Sequence, residues 1–126
     1  MAIETIATDA APAPGGHYAQ ATASGDLLFV AGQLPVRPDG THTADLPFEE
    51  QARQALANLL AIVRDGGSGP ERVLKVNVYI VGIEHWAAFN RVYGELFGDA
   101  RPARAVVPVP ELHFGYLVEV DAIAAR

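Results

Sequence analysis

Arg101-Pro102-Ala103-Arg104 runs directly into the apolar stretch Ala105-Val106-Val107-Pro108-Val109. Further along, Glu119 stands between Val118 and Val120 in a second apolar run. A guanidinium is suited to gripping a carboxylate through two parallel hydrogen bonds. A glutamate close by can hold or deprotonate a water. If the two runs pair as an antiparallel hairpin turning near Glu111-Leu112, Arg104 is predicted to face Glu119, in the same register that sets Val106 against Leu117. Two readings fit that pairing: a substrate clamp beside an activated water, or a structural ion pair closing the sheet.

Other chemistries find less support. His17, His42, His85 and His113 show no HxH or HExxH spacing, and no acidic run resembles a calcium loop, so no metal site is expected and the histidines read as loop or surface residues. Ser24 and Ser68 are the only serines, both beside glycine, and neither sits in a GxSxG elbow. Gly66-Gly67-Ser68-Gly69-Pro70 follows a helical pattern instead of opening one, and lacks a phosphate-loop lysine. Cysteine is absent, which excludes disulfides, thiolate metal sites and a cysteine nucleophile. The formal net charge is −6, and Lys75 is the single lysine, a balance that argues against a nucleic-acid partner. No stretch approaches the ~20 apolar residues of a membrane span, and the N-terminus shows no signal-peptide pattern. The expectation is a soluble cytoplasmic protein with no membrane partner, folded as one domain over residues 1–126.

These side chains need elements to carry them. A brief strand opens the chain, and Ala10 to Gly16 is a small-residue loop. His17 to Ala31 alternates and is broken at Ser24-Gly25-Asp26, which predicts two strands and a tight turn. Pro35 to Pro47 is a loop. From Phe48 to Asp65, Ala52, Ala55, Leu56, Leu59, Ile62 and Val63 form one helical stripe, with Asp45 as the expected N-cap and Gly66-Gly67 as the stop. Val73 to Val81 alternates as a strand, with Leu74, Val76, Val78 and Ile80 on its apolar face. Trp86 to Phe97 returns to helical spacing, and two last strands follow at Arg104–Val109 and Tyr116–Ala124. The order β-ββ-α-β-α-ββ predicts an α+β sandwich, with helices on one face of a mixed sheet. The other face then needs cover, which a second copy of the chain could supply.

The chain resembles the RidA family, also called YjgF/YER057c/UK114, over essentially its full length. The resemblance is carried by Tyr18, Ala31-Gly32-Gln33-Leu34-Pro35, Gln51-Ala52-Arg53-Gln54-Ala55-Leu56, and Asn90 with Tyr93. Its most specific part is Pro102-Ala103-Arg104 with Glu119 inside Val118-Glu119-Val120-Asp121-Ala122-Ile123-Ala124. It implies a chorismate-mutase-like fold, a homotrimer with clefts between subunits, and hydrolysis of reactive 2-imino or enamine acids to 2-keto acids and ammonia without a cofactor. On that resemblance Arg104 would bind the substrate carboxylate and Glu119 would position water. Tyr18 and Asn90 would line the cleft, and Gly32 would let backbone approach the ligand. Three positions depart from the family pattern. Ala31 stands where deaminases often carry serine, Val106 where cysteine is frequent, and Leu112-His113 where Leu-Pro is usual. With Phe114 and Tyr116 nearby, His113 could build a larger, more aromatic pocket or simply pack the turn and subunit interface. The departures keep an alternative open: a trimer that acts on or binds another small carboxylate or aromatic metabolite.

Overall fold

The computed structural model describes residues 2–126. Six strands and two long helices follow in the expected order: β1 (Glu4–Ile6), β2 (Ala21–Ser24), β3 (Leu27–Gln33), α1 (Phe48–Asp65), β4 (Val73–Ile80), α2 (Trp86–Phe97), β5 (Ala103–Pro108) and β6 (Val118–Ala125). Three short 3₁₀ turns fill the connections at Pro70–Arg72, Ile83–His85 and His113–Gly115.

One mixed sheet runs β1-β2-β3-β6-β4-β5. All neighbours are antiparallel except β4 and β5. Both helices pack on the same face. The predicted stripe of α1 is buried there, with Leu56, Leu59, Ile62 and Val63 at 0% exposure, against Val76, Val78, Val118 and Val120 of the sheet. From α2, Phe89, Val92, Tyr93 and Phe97 complete this core. Fully burying side chains of this size contributes ~1.5–3 kcal/mol each before entropy is charged against it.

Two buried polar residues of α1 reach out of the core to hold loops. Gln51 donates to the carbonyls of Ala44 and Leu46 and accepts the N–H of Leu117, just before β6. Asn58 donates to the carbonyls of Leu34 and Val36. The helix therefore fixes the long loop after β3 as well as the sheet.

Four local expectations are corrected. Strand β2 begins at Ala21, because residues 17–20 are irregular, with Gln20 tied to the preceding loop. The N-cap of α1 is Pro47, and no side chain caps the helix, so Asp45 does not serve there. Leu74 is 48% exposed, because a register shift between Val73 and Lys75 turns it out of the apolar face and puts Val73 in its place. The largest correction concerns the last two strands, which do not form a hairpin. Strand β4 lies between them, parallel to β5 and antiparallel to β6. Helix α2 provides the crossover that a parallel β4–β5 pair requires.

Candidate functional site

That strand order separates Arg104 from Glu119. Arg104 is level with Val76 on β4, whereas Glu119 is level with Tyr79, which is level with Val107 on β5. Two strand spacings and three residues along the strand put their backbones roughly 14 Å apart. They also point to opposite faces. Arg104 shares the parity of Val76 and Val78 and faces the helices; Glu119 shares the parity of Tyr79 and faces away from them. The predicted side-by-side pair is therefore not formed within one chain.

Each residue instead sits in a cavity of its own. Arg104 lines a cavity of about 490 Å³ together with Asn90, Tyr93, Arg101 and Pro102. Its guanidinium carbon lies 4.7 Å from the ring centre of Tyr93, 5.8 Å from that of Trp86 and 6.0 Å from that of Phe89. Cation–π contacts of this kind are worth ~0.5–2 kcal/mol each, so the ring cluster of α2 positions the cation. No carboxylate among the described residues forms an ion pair with it. The Tyr93 hydroxyl is buried without a hydrogen-bond partner among the described residues. Burial pushes its pKa up to about 12 against the opposing pull of Arg104, so the phenol keeps its proton. Val106, two residues on, is spent on packing against the core and lines neither cavity.

The Glu119 cavity measures about 390 Å³ and is lined by Tyr18, Ala31, Gly32, His42 and Phe114 among others. It exists because β3 is irregular. Val30 pairs with Ala122 and Gln33 with Val120, so β3 spends one residue more than β6 between those points. Such a bulge kinks a strand and re-aims its neighbours. The bulge falls at Ala31-Gly32, and a Cβ at residue 32 would collide with Oε2 of Glu119. It is therefore the Glu119 carboxylate that occupies the space opened by Gly32. Burial, reinforced by the charge of Asp121, raises the pKa of Glu119, and His113 pulls it back down. Asp121 is itself engaged by the Asn77 amide at 2.9 Å and the Tyr79 hydroxyl at 3.3 Å. Glu119 is thus a carboxylate inclined to take up a proton, beside a cavity.

The far rim of this cavity is aromatic. Phe114 has φ 62°, in the left-handed region that bulky residues avoid. Its ring centre lies 3.7 Å from that of His113 and 4.7 Å from that of His42. His42 Nδ1 and the buried Tyr116 hydroxyl share a hydrogen bond of 2.7 Å.

Of the residues singled out in the sequence, Tyr18, Ala31, Gly32, Phe114 and Glu119 gather in one cavity, and Asn90 and Arg104 in the other. His113 borders the first through a shallow depression around residues 111–115. Sequence reasoning set His42 aside as an ordinary loop residue. Its lack of any near-sequence partner left no signal, since its contacts lie at Phe114 and Tyr116. Trp86 and Phe89 did signal themselves, but only as core spacing and not as a support for Arg104.

Comparison with known proteins agrees in sequence and fold. Residues 8–126 match the family model described as Endoribonuclease L-PSP. A RutC family protein of Pyrococcus abyssi is 40% identical over 100% of this chain and 99% of its own. Protein HMF1 of Saccharomyces cerevisiae is 35% identical over 96% of this chain and 93% of its own. The solved structure of the YjgF gene product from E. coli superposes with a TM-score of 0.92 at 35% identity, covering 98% of each chain. E. coli TdcF, solved with bound serine, gives a TM-score of 0.92 at 33% identity, again over 98% of each chain.

Proposed function

The chain belongs to the endoribonuclease L-PSP family, which includes the YjgF and RutC proteins, and from that premise we propose that it hydrolyses 2-imino acids to 2-keto acids and ammonia in clefts between the subunits of a homotrimer. The observation that carries the proposal is Arg104: a guanidinium fixed by three rings, facing a cavity, with no carboxylate among the described residues engaged. A substrate carboxylate supplies the missing anion, as a charge-assisted pair. Glu119 supplies the proton chemistry, and since one chain keeps the two on opposite sides of its sheet, the cleft joins Arg104 of one copy to Glu119 of another. The helix-free face of the sheet supports such an assembly, because Leu27 and Phe29 remain more than 40% exposed there. A related protein with bound serine shows that an amino acid fits this fold elsewhere in the family.

The chemistry asks little of the protein beyond placement. Water oxygen bonds to the imine carbon as its proton passes to Glu119. Glu119 returns that proton to nitrogen, giving a carbinolamine. Glu119 then takes the proton of the carbinol hydroxyl and passes it to the same nitrogen, the C–N bond breaks, and ammonia leaves as the carbonyl forms. One water is consumed and nothing is oxidised or reduced. Orientation and general acid–base help provide the acceleration, and the raised pKa of Glu119 brings its proton affinity closer to the working pH.

The test is release of ammonia from 2-iminobutanoate and 2-iminopropanoate, generated in situ by an amino-acid oxidase with semicarbazide competing. Wild type should accelerate release, and Arg104→Ala should lose about ten- to a hundredfold, the value of a charged hydrogen-bonded contact, while sedimentation shows an unchanged assembly. No acceleration by an intact wild-type assembly, with these or with larger imino acids, overturns the proposal. In that case 2-keto acid binding that depends on Arg104 identifies a small-carboxylate binding protein instead. RNA cleavage, which the family description names, finds no support in a net charge of −6 with one lysine.

A further inference from the structure

The Glu119 cavity is lined by polar side chains most of whose hydrogen bonds are already committed. Gln20 donates to the carbonyls of Thr8 at 3.0 Å, Ala11 at 3.4 Å and Pro12 at 2.9 Å, and accepts the N–H of Thr8 at 2.7 Å. Gln33 donates to the carbonyls of Ala31 and Gly32. The Tyr18 hydroxyl accepts the N–H of Gly15 at 3.2 Å. His42 Nδ1 is engaged with Tyr116. What remains for a ligand is the Glu119 carboxyl, the Tyr18 O–H, the second ring nitrogen of His42, and a largely apolar wall that includes Ala31, Leu34, Val36 and Phe114.

Phe114 is the odd member of that wall. It alone among the described non-glycine residues has positive φ, a conformation costing ~1–2 kcal/mol for a side chain with a Cβ. Burial within its own chain does not explain the cost, since there the residue is 57% exposed. Gly115 follows at φ 76°, and the His113 and His42 rings flank the phenyl group, so the turn is built to hold an exposed ring at the cavity mouth. Backbone strain of this kind clusters at ligand clamps and other functional sites.

We propose, resting on the deaminase reading above, that this cavity selects 2-imino acids with an aromatic or large aliphatic side chain, and that Phe114 and His42 determine that specificity. A methyl or ethyl side chain would leave most of the wall in water. A phenyl group would cover it and meet Phe114 edge-on or offset, the arrangements rings prefer. Ala31 fits the same picture, because it places a methyl group rather than a hydroxyl at the bulge.

The experiment compares kcat/KM for the imino acids formed in situ from L-phenylalanine and L-alanine. The wild type should favour the phenyl substrate about tenfold or more, within the range that apolar pockets discriminate. Phe114→Gly should bring the ratio toward one. Glycine accepts positive φ without strain, so this variant keeps the turn. A wild-type ratio of one or less, or a ratio unchanged in the variant, overturns the proposal. Calorimetry with phenylpyruvate and pyruvate reads the cavity independently of turnover. If neither imino acid is hydrolysed, the deaminase reading fails by itself; a Phe114-dependent tenfold preference for phenylpyruvate still upholds the specificity, and equal or absent binding overturns it.

Discussion

Arg104 stands on a strand paired in unbroken parallel register with β4 and is held by the rings of one helix, whereas Glu119 looks onto a bulge and its surroundings are set by irregular backbone at residues 31–32 and 114. The two cavities therefore differ in what could disturb them. The Arg104 side depends on side-chain packing that a mutation can trim gradually. The Glu119 side depends on backbone geometry with little slack, so a single added methyl group can dislodge the carboxylate. The cation is fixed without a counter-charge, while the carboxylate is fixed where burial and Asp121 disfavour its charge.

The comparison is broken most severely by removing the proton-transfer group. Glu119→Gln keeps shape and loses the base, and kcat should fall 10²–10⁴-fold, the usual range for general acid–base groups. Steady-state rates at saturating imine read this directly. Gly32→Ala should come close behind, because its Cβ displaces Oε2 and an ångström of misplacement can cost about a hundredfold. Its melting temperature should barely move, because the colliding atom ends a side chain that can swing away. A Gly32→Ala protein with full activity would show that the carboxylate need not sit where the bulge puts it.

A third effect is smaller and has a definite sign. With the folded pKa of Glu119 raised by burial, the base form disappears as pH falls through a value above the ordinary carboxylate range. The acid limb of kcat/KM should therefore lie above that range and be missing from the residual rate of Glu119→Gln. The same shift makes ionised Glu119 a liability to the fold at neutral pH, since the native state binds the proton more readily than the unfolded chain. Glu119→Gln should melt slightly higher than wild type near neutrality and lose that advantage in acid, below the unfolded pKa. The smallest effect falls on the Arg104 side. Tyr93→Phe removes a buried hydroxyl that has no partner among the described residues, so thermal stability should hold or rise, because nothing is left unpaired. A marked loss of stability or activity would show that the hydroxyl has found a partner in the assembly or on the ligand.

The same contrast separates what could be read from the sequence from what could not. Helices α1 and α2 match their expected spans because many apolar positions repeat one period. The strands were legible as alternation, and the two-layer arrangement followed. Register and neighbour order were not, because periodicity says which face a residue takes but not which strand lies beside it. Arg104 and Glu119 were visible as residue types, yet pairing consecutive strands put them on one face when β4 in fact divides them. Leu74 was misplaced by a bulge that leaves alternation in the sequence intact. Phe114 and His42 meet only because a turn with positive φ brings residue 114 back to the loop after β3. Nothing short-range encodes that meeting.

The position of β6 has a consequence for how the protein is made. Residues 118–125 lie between β3 and β4 and hydrogen-bond to both. While a ribosome is still adding them, the earlier strands can form only the β1-β2-β3 ribbon and the β4-β5 pair, two fragments with open edges and apolar surface. The sheet joins only when β6, made after the other five strands, slots between them through contacts distant in sequence, a topology that folds slowly. A chain truncated before residue 118 should therefore aggregate or be degraded rather than work in shortened form.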